Sequence, residues 1–347
     1  MSTPHERGSV NNSYIENINQ ILRPKEQSYP VVLDLFAGCG GLALGFEAQG
    51  FATVGYEKDK DACATYRHNL HGECHCVVLK PEMEFPQVPV IIGGPPCQPF
   101  SVIGSQKGSD DERNGFPVFV AAVAQIKPEI WLFENVRGVY YRSKPYFESI
   151  MDELRALGYV VEATLLNAVN YGVPQNRERV IVVGHRGHFQ FPRPVSYRVS
   201  AGEAICDTTA ATPPESKFLT LSMDKYIAEY ERKSCCVRPR DLHFDQPART
   251  LTCRNLAGAT SDMHRIRLPD GRRRRLLQQE AARLQSFPDS FAFIGNETSV
   301  FNQIGNAVPP LFASHLAASV RAYLETTERK STTEIERAAQ PLQLSLL

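Results

Sequence analysis

Short apolar runs alternate with helix-like stretches between residues 31 and 183, and this alternation restricts the possible folds more than any other feature. Runs of four to six residues are typical of strands that are buried on both faces. The predicted strands are Val31–Phe36, Ala52–Tyr56, Pro89–Gly93, Ile130–Phe133 and Val180–Val183, and the predicted helices are Leu42–Gln49, Asp61–Asn69, Phe116–Gln125 and Tyr146–Leu157. The order predicts an α/β fold with a doubly wound sheet, whose ligands bind at the carboxyl ends of the strands.

The alternation fades from about residue 192, where Pro, Arg, Thr and Ser dominate up to residue 275. A chain of 347 residues with 42% hydrophobic residues can build one ordinary domain and a smaller one. Helical periodicity returns at Leu276–Leu284 and Val308–Tyr323, and the second stretch is long enough to pack back on the sheet. We predict a first domain at 30–192, a second at 193–275, a return to the first at 276–325, and loose, polar ends at 1–29 and 326–347.

The sequence shows no sign of membrane insertion or export. No stretch reaches the roughly 18 apolar residues of a spanning helix, and the first 30 residues are too polar for a signal peptide. Nine scattered cysteines in such a chain argue against a disulfide framework. We therefore expect a soluble, cytoplasmic monomer without membrane contacts.

Charge is unevenly distributed, although 38 basic and 38 acidic residues cancel over the whole chain. Residues 231–285 contain thirteen Arg and Lys against six acids, and the rest of the chain carries the opposite excess. A basic segment on an acidic protein can direct a polyanion to one face, although a solvated Arg-rich surface gives the same pattern.

The first predicted strand ends in a glycine-rich turn at residues 37–41. Gly38 and Gly40 let the backbone approach a ligand closely, and the following helix offers free N–H groups. Glu57 closes the second strand, where a carboxylate can accept hydrogen bonds from ribose hydroxyls. The spacing differs from that of a dinucleotide-binding turn, but an adenosine-containing cofactor fits both features.

The third predicted strand is followed by a thiol in a stiff turn. Pro95 and Pro96 restrict the backbone ahead of Cys97, and the Gly-, Ser- and Asp-rich stretch 104–115 can serve as a lid. The next strand delivers Glu134 at its end, so thiol and carboxyl are expected to converge at one edge of the sheet.

Five motifs in order resemble the DNA cytosine C5 methyltransferase family over roughly residues 30–325. This resemblance implies a Rossmann-like, class I methyltransferase domain that binds S-adenosylmethionine, a smaller target-recognition domain at 193–275, and double-stranded DNA as the partner. It also implies a bacterial enzyme of the restriction-modification kind that reaches the nucleoid through DNA. The motifs are 34–41 (DLFAGCGG), 95–98 (PPCQ), 134–136 (ENV), 175–179 (QNRER) and 303–310 (QIGNAVPP).

The resemblance also implies the catalytic roles. Cys97 would attack C6 of cytosine, which turns the ring into an enamine that accepts a methyl group at C5. Glu134 would hydrogen-bond N3 and N4, while Arg179 would hold O2 and favour the thiolate. Arg177 would support the site, and Gln98 and Asn135 would orient the loop and the carboxyl. Because a thiol cannot reach a stacked base, the cytosine must be flipped out of the duplex.

The cofactor and DNA contacts are likewise carried over from the family. The implied cofactor residues are Phe36, Gly38, Gly40, Glu57, Pro96 and Asn306, and the implied DNA contacts are Ser101, Arg249, Thr250, Arg254, Arg272 and Arg273. The run Arg272–Arg275 is expected to clamp the phosphate backbone. Two departures concern the adenine: the family's usual Asp is missing from Cys76–Lys80, and Lys58 replaces a common aromatic residue.

Three other interpretations of these motifs agree less well with the sequence. A zinc site is the first alternative, suggested by His71, Cys74, His75 and Cys76. Their spacing does not match a closed tetrahedral site, so we expect no metal there, and we expect none at Cys235-Cys236. One branch of the family modifies tRNA, but the 83 residues of 193–275 favour DNA. A non-catalytic DNA-binding regulator would not need Cys97, Glu134 and Arg179 together.

Overall fold

A seven-stranded sheet lies at the centre of the structure, a computed structural model that describes residues 13–96, 114–210, 213–235, 240–257 and 262–339, with side chains described up to 327 except at 142 and 210. The strands are β1 Val31–Leu35, β2 Ala52–Glu57, β3 Glu73–Cys76, β4 Val90–Gly93, β5 Ile130–Val136, β6 Val160–Asn167, β7 Gln175–Asn176, β8 Glu178–His185, β9 Ala248–Arg249, β10 Arg265–Arg267 and β11 Arg273–Arg275. The helices are α1 Ser13–Ile21, α2 Gly41–Glu47, α3 Lys60–Asn69, α4 Phe116–Ile126, α5 Arg137–Arg142, α6 Lys144–Ala156, α7 Ala201–Ala210, α8 Leu221–Lys233, α9 Cys253–Ala257, α10 Gln278–Leu284, α11 Glu297–Asn306 and α12 Pro310–Ala339.

The strand order is β3-β2-β1-β4-β5-β8-β6. Strands β3, β2, β1, β4 and β5 are parallel, whereas β8 is antiparallel to both of its neighbours. Every residue of β4 is buried, as is nearly every residue of β1, because helices cover both faces of the sheet. The predicted α/β, doubly wound architecture is confirmed.

The reversed direction of β8 brings its first residues to the edge where the parallel strands end. Parallel strands β1, β4 and β5 end at one edge of the sheet, and the antiparallel β8 begins at that same edge. The register places Arg179 opposite Val136, at the end of β5. Residues from the start of β8 therefore join those from the ends of β1, β4 and β5.

The prediction of loose ends is wrong for the described parts of 1–29 and 326–347, because both contain helix. Ser13–Ile21 is a helix that buries Tyr14, Ile15 and Ile18, and the Tyr14 hydroxyl donates a 2.8 Å hydrogen bond to the Arg283 carbonyl. An amphipathic helix of nine residues is stabilised by such packing rather than by its own propensity. At the other end, α12 continues beyond residue 325 to Ala339. None of the described helices is both long and apolar enough to cross a membrane.

The segment 193–275 packs closely on the return segment. Several of its buried apolar residues, among them Ile205, Leu251 and Ile266, belong to the same buried cluster as α10 and α12. Its regular strands are short: β10 pairs with β11, and β9 pairs with β7 from the catalytic segment. The β7–β9 pairing brings Thr250 beside the start of β8.

Candidate active site

Glu134 and Arg179 form an ion pair at the carboxyl edge of the sheet. The Oε1 atom of Glu134 lies 2.5 Å from Nε of Arg179, and each side chain is only 11% exposed. The other oxygen, Oε2, lies 3.8 Å from the position that a Cβ on Gly94 would occupy. The carboxylate is therefore held between the start of β8 and the chain that leaves β4.

Hydrogen bonds fix the chain on both sides of residues 97–113. The side-chain amide of Asn135 donates to the Pro95 carbonyl at 2.9 Å, and the N–H of Gly115 donates to the Pro96 carbonyl at 2.9 Å. Asn135 is buried, and the Pro95 carbonyl is the partner that its predicted orienting role requires. Cys97, Gln98, Ser101 and the predicted lid up to residue 113 lie outside the described residues. The chain nevertheless enters this segment from Pro96, beside Glu134.

Arg177 is held by backbone hydrogen bonds next to the candidate site. Its guanidinium is buried and donates to three backbone carbonyls: Leu251 at 2.8 Å, Ala307 at 2.9 Å and Gly305 at 3.3 Å. Burial lowers its pKa well below the ordinary value, and the nearby Arg179 adds to this. Arg177 thus joins the catalytic edge to the segment after β9 and to the α11–α12 turn.

The glycine turn after β1 holds the Glu57 carboxylate. The N–H of Gly38 donates to Oε2 at 3.0 Å, while the N–H groups of Lys58 and Asp59 donate to Oε1 at 2.9 Å. A Cβ on Gly38 would have no atom within 4 Å, so the space above this turn is open to a ligand. The arrangement fits an adenosine-containing cofactor, because a carboxylate fixed beside open backbone can accept ribose hydroxyls.

Gly40 packs against the end of α3. A Cβ on Gly40 would lie 2.6 Å from Leu70 and 2.9 Å from Tyr66, and its φ of 91° is left-handed. Both observations require a glycine at this position. Phe36 also has a positive φ, of 60°, and its ring lies against the position that a Cβ on Gly115 would occupy.

Asp34 is a buried group that motif matching leaves without a role. It is 1% exposed, and its Oδ2 atom has no hydrogen-bond partner in the described structure. Burial, together with the nearby Glu57 charge, raises the pKa of Asp34 to about 8. Asp34 is the last residue but one of β1, which ends at Leu35 just ahead of the glycine turn.

Asn306 lies at the end of α11, and its Oδ1 atom is 2.9 Å from the Cys253 thiol. The adjoining turn packs on the glycine turn, since a Cβ on Gly41 would lie 2.5 Å from the Val308 carbonyl. Asn306 is exposed near this contact, which is compatible with its predicted role.

A cavity of about 480 Å³ opens beside the ion pair. It is lined by residues from the end of β5, from β6–β8 and from the segment after β9: Val136, Arg137, Gly138, Asn167, Asn176, Glu178, Arg179 and Thr250. Thr250 is fixed by a 2.6 Å hydrogen bond from its hydroxyl to the Asn176 carbonyl. The structure therefore brings Thr250 together with Arg179.

The predicted DNA contacts Arg249 and Arg254 surround Asp262. Arg249 Nη1 is 3.2 Å and Arg254 Nε is 3.8 Å from the Asp262 carboxylate. Arg240 reaches the same carboxylate at 3.3 Å. Neither Arg240 nor Asp262 belongs to a recognisable motif, and only folding brings the two together.

The predicted phosphate clamp Arg272–Arg275 is wrong for Arg274. Its guanidinium is fully buried and paired with Glu280 at 2.7 Å. Arg273 is 19% exposed and lies 3.0 Å from Asp241 and 3.2 Å from Asp224, whereas Arg272 is 58% exposed beside Asp270. Alternation along β11 buries Arg274 between the half-buried Arg273 and Arg275, because successive side chains of a strand point to opposite faces, whereas Arg272 precedes the strand.

The thiols of Cys39 and Cys253 are held in the less reactive, protonated form. Burial raises the pKa of Cys39 to about 12, and burial also raises the pKa of Cys253. Cys63 and Cys74 lie 3.4 Å apart in the core, and no group of three His, Cys, Asp or Glu among the described residues is arranged to bind a metal.

Comparison with known proteins decides the family. The model of the C-5 cytosine-specific DNA methylases matches residues 31–322. The chain belongs to the C-5 cytosine-specific DNA methylase family. Within that family it is 54% identical over 337 residues to Type II methyltransferase M.AplI of Arthrospira platensis, covering 96% of this chain and 98% of that protein. It is 33% identical to Type II methyltransferase M.NgoFVII of Neisseria gonorrhoeae, covering 88% and 89%.

The fold of this C-5 cytosine-specific methylase is shared with solved structures. The Entamoeba histolytica methyltransferase EhMeth aligns with a TM-score of 0.66 at 15% identity, over 86% of this chain and 99% of that one. These findings confirm the predicted Rossmann-like methyltransferase fold and a DNA (cytosine-5-)-methyltransferase of the type II restriction-modification kind. They favour DNA over the RNA alternative, and an enzyme over a non-catalytic regulator.

Proposed function

We propose that the protein methylates C5 of a flipped-out cytosine in a specific sequence of double-stranded DNA, through a covalent bond between Cys97 and C6. The observation that carries the proposal is the Glu134–Arg179 pair, which is held beside the chain that leads into Cys97. A carboxyl group and a guanidinium that lie together can stabilise a cytosine ring that gains negative charge during the reaction.

The Cys97 thiolate adds to C6, and the electrons of the C5–C6 double bond become available at C5. Glu134 donates a proton in a hydrogen bond to N3, and Arg179 donates a hydrogen bond to O2. Both interactions stabilise the negative charge that the ring gains. After C5 has taken the methyl group, a base removes the C5 proton and the bond between sulfur and C6 breaks. The thiolate is thereby restored.

S-adenosylmethionine would supply the electrophilic methyl group. The open backbone at Gly38 and the fixed Glu57 carboxylate fit its ribose, and Phe36 and Pro96 lie at the same edge. Asn306 would approach from the return segment. Cytoplasmic location, association with the nucleoid and a monomeric state remain predictions of the sequence.

The low exposure of Glu134 and Arg179 supports base flipping as part of the proposal. Glu134 and Arg179 are recessed at the sheet edge, and the adjoining cavity of about 480 Å³ can receive a single base. A base that is stacked in a duplex cannot reach such a recess. Thr250 and Asn176 line this cavity and would contact the flipped nucleotide.

The variant Cys97→Ser tests the proposal. A serine hydroxyl is far less ionised than a thiol at neutral pH, so methyl transfer should fall below detection while DNA binding is retained. Transfer of tritiated methyl groups and gel-shift affinity measure the two properties. A variant that transfers methyl groups at nearly the wild-type rate would refute the covalent route.

A further inference from the structure

Three cysteine side chains meet where α3 packs on β3. Cys74 and Cys76 stand two residues apart in β3, so their side chains point to the same face of the strand. Cys63, in the first turn of α3, lies against both: the Cys74 thiol donates to the Cys63 sulfur at 3.4 Å, and the Cys76 thiol is its other neighbour. We call these three residues the thiol cluster. The proposed methyl transfer uses none of them.

The three thiols differ in their access to solvent. Cys76 is exposed, whereas Cys63 and Cys74 are buried. Burial raises the pKa of Cys63 to about 11 and also raises the pKa of Cys74, so both internal thiols stay protonated. Oxidation of a cysteine depends on the access of the oxidant to its sulfur. An oxidant from solvent therefore reaches Cys76 first.

The thiol cluster is bonded to the turn that holds the Glu57 carboxylate. The Cys63 thiol donates to the Glu57 carbonyl at 3.3 Å, and the Cys76 thiol donates to the Lys58 carbonyl at 3.8 Å. The N–H of Cys63 also donates to the Asp59 carbonyl at 2.9 Å. The N–H groups of Lys58 and Asp59 are two of the donors that fix the Glu57 carboxylate. A change at the thiols is therefore transmitted directly to the predicted ribose ligand.

A peroxide can join the exposed thiol to its buried neighbour in two steps. The peroxide first oxidises the Cys76 thiol to a sulfenic acid and is itself reduced to water. The Cys63 sulfur then attacks the sulfenic sulfur, so the S–S bond forms while the S–O bond breaks. The Cys63 proton leaves with the hydroxide as a second water. In total, two thiols give up two electrons to one peroxide.

We propose that the thiol cluster is an oxidation site at which a peroxide links Cys76 to Cys63 and thereby weakens the binding of S-adenosylmethionine. The S–S bond, of about 2 Å, draws the start of α3 towards β3. It also removes both S–H donors from the carbonyls of Glu57 and Lys58. The turn 57–59 moves as a result, and the Glu57 carboxylate leaves the position in which it accepts the ribose hydroxyls.

The effect on the cofactor rests on the proposed function, whereas the disulfide itself does not. The full-length protein is treated with hydrogen peroxide, its remaining thiols are alkylated, and its peptides are mapped by mass spectrometry. The peptides of Cys63 and Cys76 should be joined, and dithiothreitol should separate them. In Cys63→Ala, Cys76 should remain a sulfenic acid that dimedone labels. An unmodified Cys76, or a bond from Cys63 to Cys74 in its place, would overturn the proposal.

Cofactor binding is measured in the Cys97→Ser protein, so that oxidation of the proposed nucleophile does not contribute. Calorimetric titration with S-adenosylmethionine should give an affinity that falls about tenfold after peroxide, as for one lost hydrogen bond to a charged group. Dithiothreitol should restore it. A reduced protein that does not bind S-adenosylmethionine would contradict the proposed function. Unchanged affinity in protein that carries the mapped disulfide would overturn only the present inference.

Two further variants in the same Cys97→Ser protein identify the thiol that responds. Cys76→Ser should bind S-adenosylmethionine as the reduced protein does, and peroxide should no longer weaken that binding. Cys235→Ser is the matched control, because it removes another exposed thiol outside the thiol cluster, and it should keep the tenfold response. If peroxide weakens binding equally in Cys76→Ser, the effect arises at another cysteine and the proposal is wrong.

Discussion

The catalytic edge and the segment 240–275 both depend on arginine but hold it in different ways. Arg179 and Arg177 have partners that the sheet register or a neighbouring turn brings to them: the Glu134 carboxylate and three backbone carbonyls. In the segment 240–275, three arginines share Asp262, and Arg273 pairs with both Asp241 and Asp224. The sheet register therefore places the Glu134–Arg179 pair, whereas the arginines of the segment 240–275 lie on separate short elements that ion pairs hold together.

The largest expected effect concerns the catalytic edge. Glu134→Gln removes the group that holds a proton at N3, so the rate of methyl transfer should fall by about 10²- to 10⁴-fold. Single-turnover transfer of a labelled methyl group measures this rate, and circular dichroism checks the fold.

Glu297→Gln is the matched control for that variant. It neutralises another carboxylate in a cation pair, with Lys217 at 2.5 Å on the surface. Its rate should stay at the wild-type value. A loss of less than about tenfold in Glu134→Gln would mean that the carboxylate does not take part in the chemistry.

Much of the catalytic edge can be predicted from sequence. Strands β1, β2, β4, β5 and β8 are apolar runs because neighbours and helices cover them, and their ends carry the motif residues. The outer strands β3 and β6 were missed. Each has few buried residues, with one in β3 and none in β6, so neither shows an apolar run.

The partners of the recognition arginines could not be predicted in the same way. Charge counting finds a basic segment, but it cannot tell a buried ion pair from a surface group. Arg274 and Arg272 stand two residues apart, yet one is buried with Glu280 and the other is exposed. Similarly, the helix Ser13–Ile21 is evident only from the surface on which Tyr14 and Ile18 pack.

The next largest effect separates these two arginines. Arg274→Ala leaves the Glu280 carboxylate buried without a counter-charge, so the free energy of unfolding should fall by about 3–5 kcal/mol. Arg272→Ala should change it by at most about 0.5 kcal/mol, while lowering the salt slope of DNA binding by about one. Urea unfolding and binding at several salt concentrations measure both. Equal losses of stability would contradict the buried pairing.

The last prediction concerns the pH dependence of stability and the buried Asp34. Because the pKa of Asp34 is about 8 in the folded protein and ordinarily 3.8, the folded state binds a proton that the unfolded chain releases. The stability from this group is present at low pH and is lost as the pH rises towards about 8. Asp34→Asn should therefore lose less Tm than wild type between about pH 5 and about pH 9. An equal loss would show that Asp34 is ionised throughout.

The central claim is covalent catalysis by Cys97, and a duplex with 5-fluorocytosine at the target tests it most directly. Fluorine at C5 leaves no proton for the final elimination, so the bond between sulfur and C6 should persist. With S-adenosylmethionine, the account predicts a denaturation-resistant adduct that peptide mapping assigns to Cys97 and that Cys97→Ser does not form. An adduct at Cys39 or Cys253, or none despite turnover on ordinary cytosine, would contradict it.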